Sequence, residues 1–87
     1  KSRAVNEAGM RQLEQGLSAL GFTPIQSETN FLYFDTKRNG RSIFDALLRE
    51  GIIVRHIEGT MIRVTIGLAD ENAAFLQAFK KILDAAR

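Results

Sequence analysis

The sequence predicts an α+β domain, a two-layer sandwich in the order α-β-β-α-β-β-α with helices on one face of a mostly antiparallel sheet. Three observations carry that expectation. Met10, Leu13, Leu17 and Leu20 recur at spacings of 3, 4 and 3, which stacks them on one face of a helix. Between Gly59 and Gly67, Ile62, Val64 and Ile66 alternate with Met61, Arg63 and Thr65, the period of a half-buried strand. The β-branched run Ile52–Ile57 meets that strand through a tight turn at Glu58-Gly59-Thr60, which reads as an antiparallel hairpin.

Each element follows in order. The first helix is under way within the opening residues and stops at Gly21. Gly9 and Gly16 inside it each cost roughly 0.5–1 kcal/mol relative to alanine, which implies close packing or support from a neighbour. Phe22-Thr23-Pro24-Ile25 reads as a short extended piece, with Pro24 suited to an edge or a strand start, and Gln26–Thr29 as a polar loop. Asn30–Asp35 is almost wholly apolar and aromatic and predicts a central strand buried on both faces or nearly so, its aromatics mostly core. After a turn at Thr36–Gly40, Asn39 or Ser42 can cap a second helix, with Asp45 completing a weak capping box from Ser42. Ile43, Phe44, Leu47 and Leu48 form its buried stripe and Gly51 its stop. The last helix spans about Ala69–Ala86, with Asp70 and Glu71 in its first turn and Phe75, Leu76, Phe79, Ile82 and Leu83 facing the core.

Composition bounds the function. Eighty-seven residues allow one domain, which buries roughly 60–65% of its unfolded surface. Twelve basic and ten acidic residues are interspersed, a poor electrostatic footprint for nucleic acid. With no cysteine and His56 as the only histidine, neither a disulfide framework nor a zinc site has the ligands it needs. No run approaches a membrane span, and no signal region follows Lys1-Ser2-Arg3. A start in mid-helix without methionine suggests a piece of something longer. No catalytic constellation appears: Ser2, Ser18, Ser27 and Ser42 lack a base pattern, no glycine-rich phosphate loop opens a helix, and His56 reads as structural or surface.

What remains is Arg63. It lies on the outer face of a rigid strand, where its planar fork of donors suits a carboxylate or a phosphate. The plainer reading is a solvated arginine on a wet sheet face. Arg55 lies eight residues earlier across the expected hairpin, and pairing would bring two guanidiniums close, an unfavourable contact unless an anion sits between them.

Three stretches together resemble the C-terminal small domain of the fold-type I pyridoxal-phosphate-dependent aminotransferases, in the histidinol-phosphate aminotransferase branch. They are Thr29–Leu32, Gly40–Leu48 running on to Gly51-Ile52-Ile53-Val54-Arg55, and Ile62-Arg63-Val64-Thr65-Ile66-Gly67, with the Asp70-Glu71-Asn72…Phe75-Leu76 helix trailing. The resemblance implies a clamp, with Arg63 on the substrate α-carboxylate and Arg55 on the phosphate of histidinol phosphate. It implies a cytoplasmic, homodimeric parent enzyme of histidine biosynthesis that moves an amino group between L-histidinol phosphate and 2-oxoglutarate. Pyridoxal 5′-phosphate, its lysine, the aspartate for its ring nitrogen and its phosphate loop would belong to a large domain. Residues 1–87 would then be a single small domain without catalytic, cofactor or metal residues, inactive alone, with no nucleic-acid or membrane partner. Leu68 stands where a capping threonine is common, and His56 where a proline is frequent. Three other readings compete. They are a threonine-phosphate decarboxylase-like domain, a free-standing regulatory module that binds an amino acid, and an RNA-binding sheet using Phe31 and Tyr33. The last is disfavoured by the charge balance.

Overall fold

A computed structural model of the chain describes residues 3–28 and 30–86, with the side chains of Ser27 and Glu28 left aside. The elements are α1 (Arg3–Ala19), β1 (Ile25–Glu28), β2 (Phe31–Asp35), α2 (Gly40–Arg49), β3 (Arg55–His56), β4 (Met61–Thr65) and α3 (Ala69–Ala85). The α+β order α-β-β-α-β-β-α stands. The strands form one sheet in the order β1-β2-β4-β3, every neighbouring pair antiparallel.

One core lies between sheet and helices. Alternation turns Leu32 and Phe34 of β2, and Ile62 and Val64 of β4, inward onto Met10, Leu13 and Leu17 of α1, Ile43 and Leu47 of α2, and Phe75 and Phe79 of α3. Phe34 sits at its centre, 5.8 Å from Phe22, 6.2 Å from Phe75 and 5.3 Å from Phe79 between ring centroids, each pair in the edge-on arrangement aromatic rings favour.

The glycines of α1 are explained by close approach. A β-carbon on Gly9 would lie 2.8 Å from Ile66 Cγ2 and 3.0 Å from the Gly67 carbonyl oxygen. One on Gly16 would run into the side chain of Leu76. The end of α1 is as expected, with Gly21 at a φ of 93°.

Several expectations are corrected. The first strand is Ile25–Glu28: it starts at the last residue of the expected extended piece Phe22–Ile25 and runs on through most of the stretch that reads as a polar loop. An edge strand needs only backbone partners on one side, so polar side chains do not bar it. Phe22 instead donates its backbone N–H to Leu17 O at 2.9 Å and buries its ring in the core. β2 is central but buried on one face only: Leu32 and Phe34 are inside, while Phe31 and Tyr33 are half-buried on the other side. Leu48 is 49% exposed, because α2 covers the sheet with the narrower stripe of Ile43 and Leu47. Asn39 is the cap of α2, its Oδ1 accepting from Ser42 N at 3.0 Å, while Asp45 pairs with Arg41 at 3.2 Å instead of closing a box with Ser42. The strand expected over Ile52–Ile57 shrinks to Arg55–His56, since Ile52 N still bonds Leu47 O at 2.9 Å as the chain leaves α2.

The start of α3 is held by Glu71 and Asn72, residues to which the sequence assigns no capping role. Leu68 has no capping side chain, but its N–H donates to Glu71 Oε1 at 2.7 Å. The buried Asn72 accepts from Gly67 N at 2.9 Å and donates at 3.0 Å to both Gly67 O and Gln12 Oε1, tying the end of β4 to α1 and α3. Among the described residues no helix is long and apolar enough to cross a membrane.

Candidate functional site

All three helices pack on the inner face, so the outer face of the sheet is where β2, β3 and β4 show their alternate side chains. The register sets a row across it. Ile25 of β1 lies opposite Tyr33 of β2, Tyr33 opposite Arg63 of β4, and Arg63 opposite Arg55 of β3. Residues directly opposed on antiparallel strands share a face, with Cβ atoms about 4.5–5.5 Å apart. The two arginines singled out in the sequence are therefore immediate cross-strand neighbours.

The hairpin that presents Arg55 is pinned from behind. Gly59, at a φ of 55°, turns its carbonyl to accept from Gly40 N at 2.8 Å and from His56 Nε2 at 3.1 Å. Thr60 O accepts from both Thr36 N at 2.9 Å and Thr36 Oγ1 at 2.8 Å. His56 is opposite Ile62, hence on the inner side of the sheet edge, and a β-carbon on Gly40 would lie 2.6 Å from its Cδ2. His56 is a structural residue that anchors the turn, with no part in the outer face.

Arg63 is half-buried, and its guanidinium carbon stands 4.2 Å over the centroid of the Phe31 ring. Its Nε is buried without a hydrogen-bond partner among the described residues. Arg55 is exposed. Neither arginine forms an ion pair with a described residue; the pairs present are Arg3–Glu7, Arg41–Asp45, Lys80–Asp84 and Lys81–Glu50. Asp35, the carboxylate on the same side of β2, is engaged elsewhere. The Thr60 side chain and the Lys37 backbone N–H, 2.7 Å away, hold its carboxyl below the usual aspartate value. Two adjacent guanidiniums with no internal counter-ion repel each other, and an anion relieves that repulsion. In charge and geometry such an arrangement suits a carboxylate or a phosphate.

Phe31 and Tyr33 border the arginines, although their run reads as core in the sequence. The signal was there in the period of two, since Leu32 and Phe34 had to share the inner face with Ile62 and Val64. The cofactor implied by the resemblance does not fit the residues present. Lys80 and Lys81 are paired with acids, Lys37 Nζ donates to Gly21 O at 3.3 Å beside Phe22, and none of the three stands on the outer face. Lys1 lies outside the described residues.

No protein-family model matches the chain. A histidinol-phosphate aminotransferase 2 of Pseudomonas aeruginosa is 48% identical over 87 residues, covering 95% of this chain and 24% of that protein. A histidinol-phosphate aminotransferase 1 of Nitrosococcus oceani is 42% identical over 88 residues, 97% of this chain and again 24% of the relative. The crystal structure of the histidinol-phosphate aminotransferase of Clostridium acetobutylicum superposes with a TM-score of 0.79 over 91% of this chain and 26% of its own, at 22% identity, which speaks to the fold. The chain spans about a quarter of the length of the relatives it matches. Nearly all of it is similar to one segment of the histidinol-phosphate aminotransferases, the branch its own motifs resemble.

Proposed function

We propose that the chain is the C-terminal small domain of a histidinol-phosphate aminotransferase, a cytoplasmic enzyme of histidine biosynthesis, and that it clamps the substrate. The observation that carries this reading is the direct opposition of Arg55 and Arg63 on the open face of the sheet, without a counter-ion among the described residues. Arg63 takes the α-carboxylate of the amino acid substrate through a bidentate pair, and Arg55 takes the phosphate of the amino-alcohol substrate. Both reach from a rigid sheet, so their role is to fix the reacting amine in place. Pyridoxal 5′-phosphate and the groups that hold it belong to the remainder of the enzyme, which also supplies the surface that closes over the outer face and the homodimer. Identity of 40–48% to histidinol-phosphate aminotransferases over most of this chain supports the branch over the threonine-phosphate decarboxylase reading.

The test is steady-state kinetics of the full-length protein that carries this segment, with histidinol phosphate and 2-oxoglutarate. Arg63→Ala is expected to lower kcat/KM for the carboxylate substrate by on the order of 10²-fold or more, the scale of a broken buried charge pair. An unchanged kcat/KM would remove Arg63 from the site.

A further inference from the structure

We infer that Phe31 is the positioning residue for Arg63. Its ring carries the guanidinium, and with Nε buried the two terminal nitrogens, Nη1 and Nη2, are what Arg63 offers to a carboxylate. The inference rests on the reading of Arg63 as the carboxylate partner and deepens it. Phe31 lies opposite Thr65, which makes it the diagonal neighbour of Arg63 on the same face. Aromatic and long side chains meet across that diagonal. The guanidinium carbon stands 4.2 Å over the ring centroid, inside the range of a cation–π contact.

Two further features give the contact a direction. Arg55 is directly opposite on β3, and its like charge disfavours any lean of Arg63 toward that strand. The ring on β2 supplies the attraction on the other side. An arginine can pair with a carboxylate either through Nε and one Nη or through both Nη atoms. Here Nε is buried and has no partner among the described residues, so a ligand oxygen does not reach it in this arrangement. A π-face occupies no donor of the fork, so Phe31 restrains the side chain without competing with the ligand. Such restraint reduces the freedom lost when the ligand arrives.

The test uses the full-length enzyme and three variants. Phe31→Leu should raise KM for the carboxylate substrate roughly 3- to 30-fold, with kcat changed much less, as expected for loss of a cation–π restraint. Phe31→Tyr, which keeps a π-face, should restore KM to within about twofold of the parent. If Arg63→Ala is costly while Phe31→Leu leaves KM unchanged, the role of Phe31 falls and that of Arg63 survives. If Arg63→Ala is silent, both fall. A crystal structure with a bound dicarboxylate gives a readout independent of rate. Contacts from Nη1 and Nη2 support the inference, and a carboxylate oxygen bonded to Nε overturns it.

Discussion

Asp35 shows how one residue can hold a turn through charge. Its carboxylate accepts from the Lys37 N–H at 2.7 Å, and Lys37 is in the left-handed region at a φ of 59°, where a residue with a side chain needs local support. The Thr60 hydrogen bond, then that of Lys37, lowers the Asp35 pKa in the folded protein. A lowered folded-state pKa stabilises the protein above the unfolded-state value, near 3.8, and that stabilisation is lost as pH falls through the folded pKa. Asp35→Asn should therefore shrink the loss of thermal stability between about pH 5 and pH 2, measured as Tm against pH, while an identical acid limb in both proteins would contradict the assignment. At this scale the sequence was partly legible. The outward direction of Arg63 follows from period two alone, and that of Phe31 follows from the same period only once β2 is paired with β4, because its own run is almost wholly apolar. Asn72 was not legible at all, because its partners Gly67 and Gln12 come together only in the fold.

Elements meet through glycines and through Asn72. Gly9 and Gly16 look alike in the sequence, and the structure separates them. At Gly9 an added β-carbon meets the backbone carbonyl of Gly67, which cannot move aside, so Gly9→Ala should destabilise by about 1–3 kcal/mol in urea denaturation. At Gly16 the obstacle is the flexible, half-buried Leu76, and the gain in helix propensity of roughly 1 kcal/mol offsets much of its displacement. Gly16→Ala should lie near zero; a larger loss than Gly9→Ala would reverse the ranking. Asn72→Ala leaves the N–H and carbonyl of Gly67 without their partner and should cost about 1–3 kcal/mol for each group left buried and unpaired, read from the same denaturation curves. The long, strongly patterned elements were legible: α1, α2, β4 and α3 are where periodicity put them. β1 was expected about three residues too early, at Phe22–Ile25, because a polar edge strand is defined by backbone pairing that composition does not record. β3 was overestimated because Ile52 is still bonded to the end of α2.

For the whole molecule, the two-layer fold leaves one sheet face without helices, and that face is not built like an ordinary wet surface. Ile25 is 59% exposed, and Ile57, two residues beyond Arg55, is 45% exposed, with half-buried Phe31, Tyr33 and Met61 between them. An apolar rim around two uncompensated arginines fits a face that closes against the rest of a larger enzyme with a small anion held between. The fold class followed from the sequence because helix and strand periods each point to a single buried face. What meets the outer face did not follow, since among the described residues no helix packs on it. The most direct test of the account compares full-length wild type with Arg55→Ala, using kcat/KM for histidinol phosphate and for an amino donor without phosphate. With Arg55 on the phosphate, the loss should be on the order of 10²-fold for the phosphate substrate and less than about tenfold for the other. Equal losses for both donors, or no loss for histidinol phosphate, would contradict it.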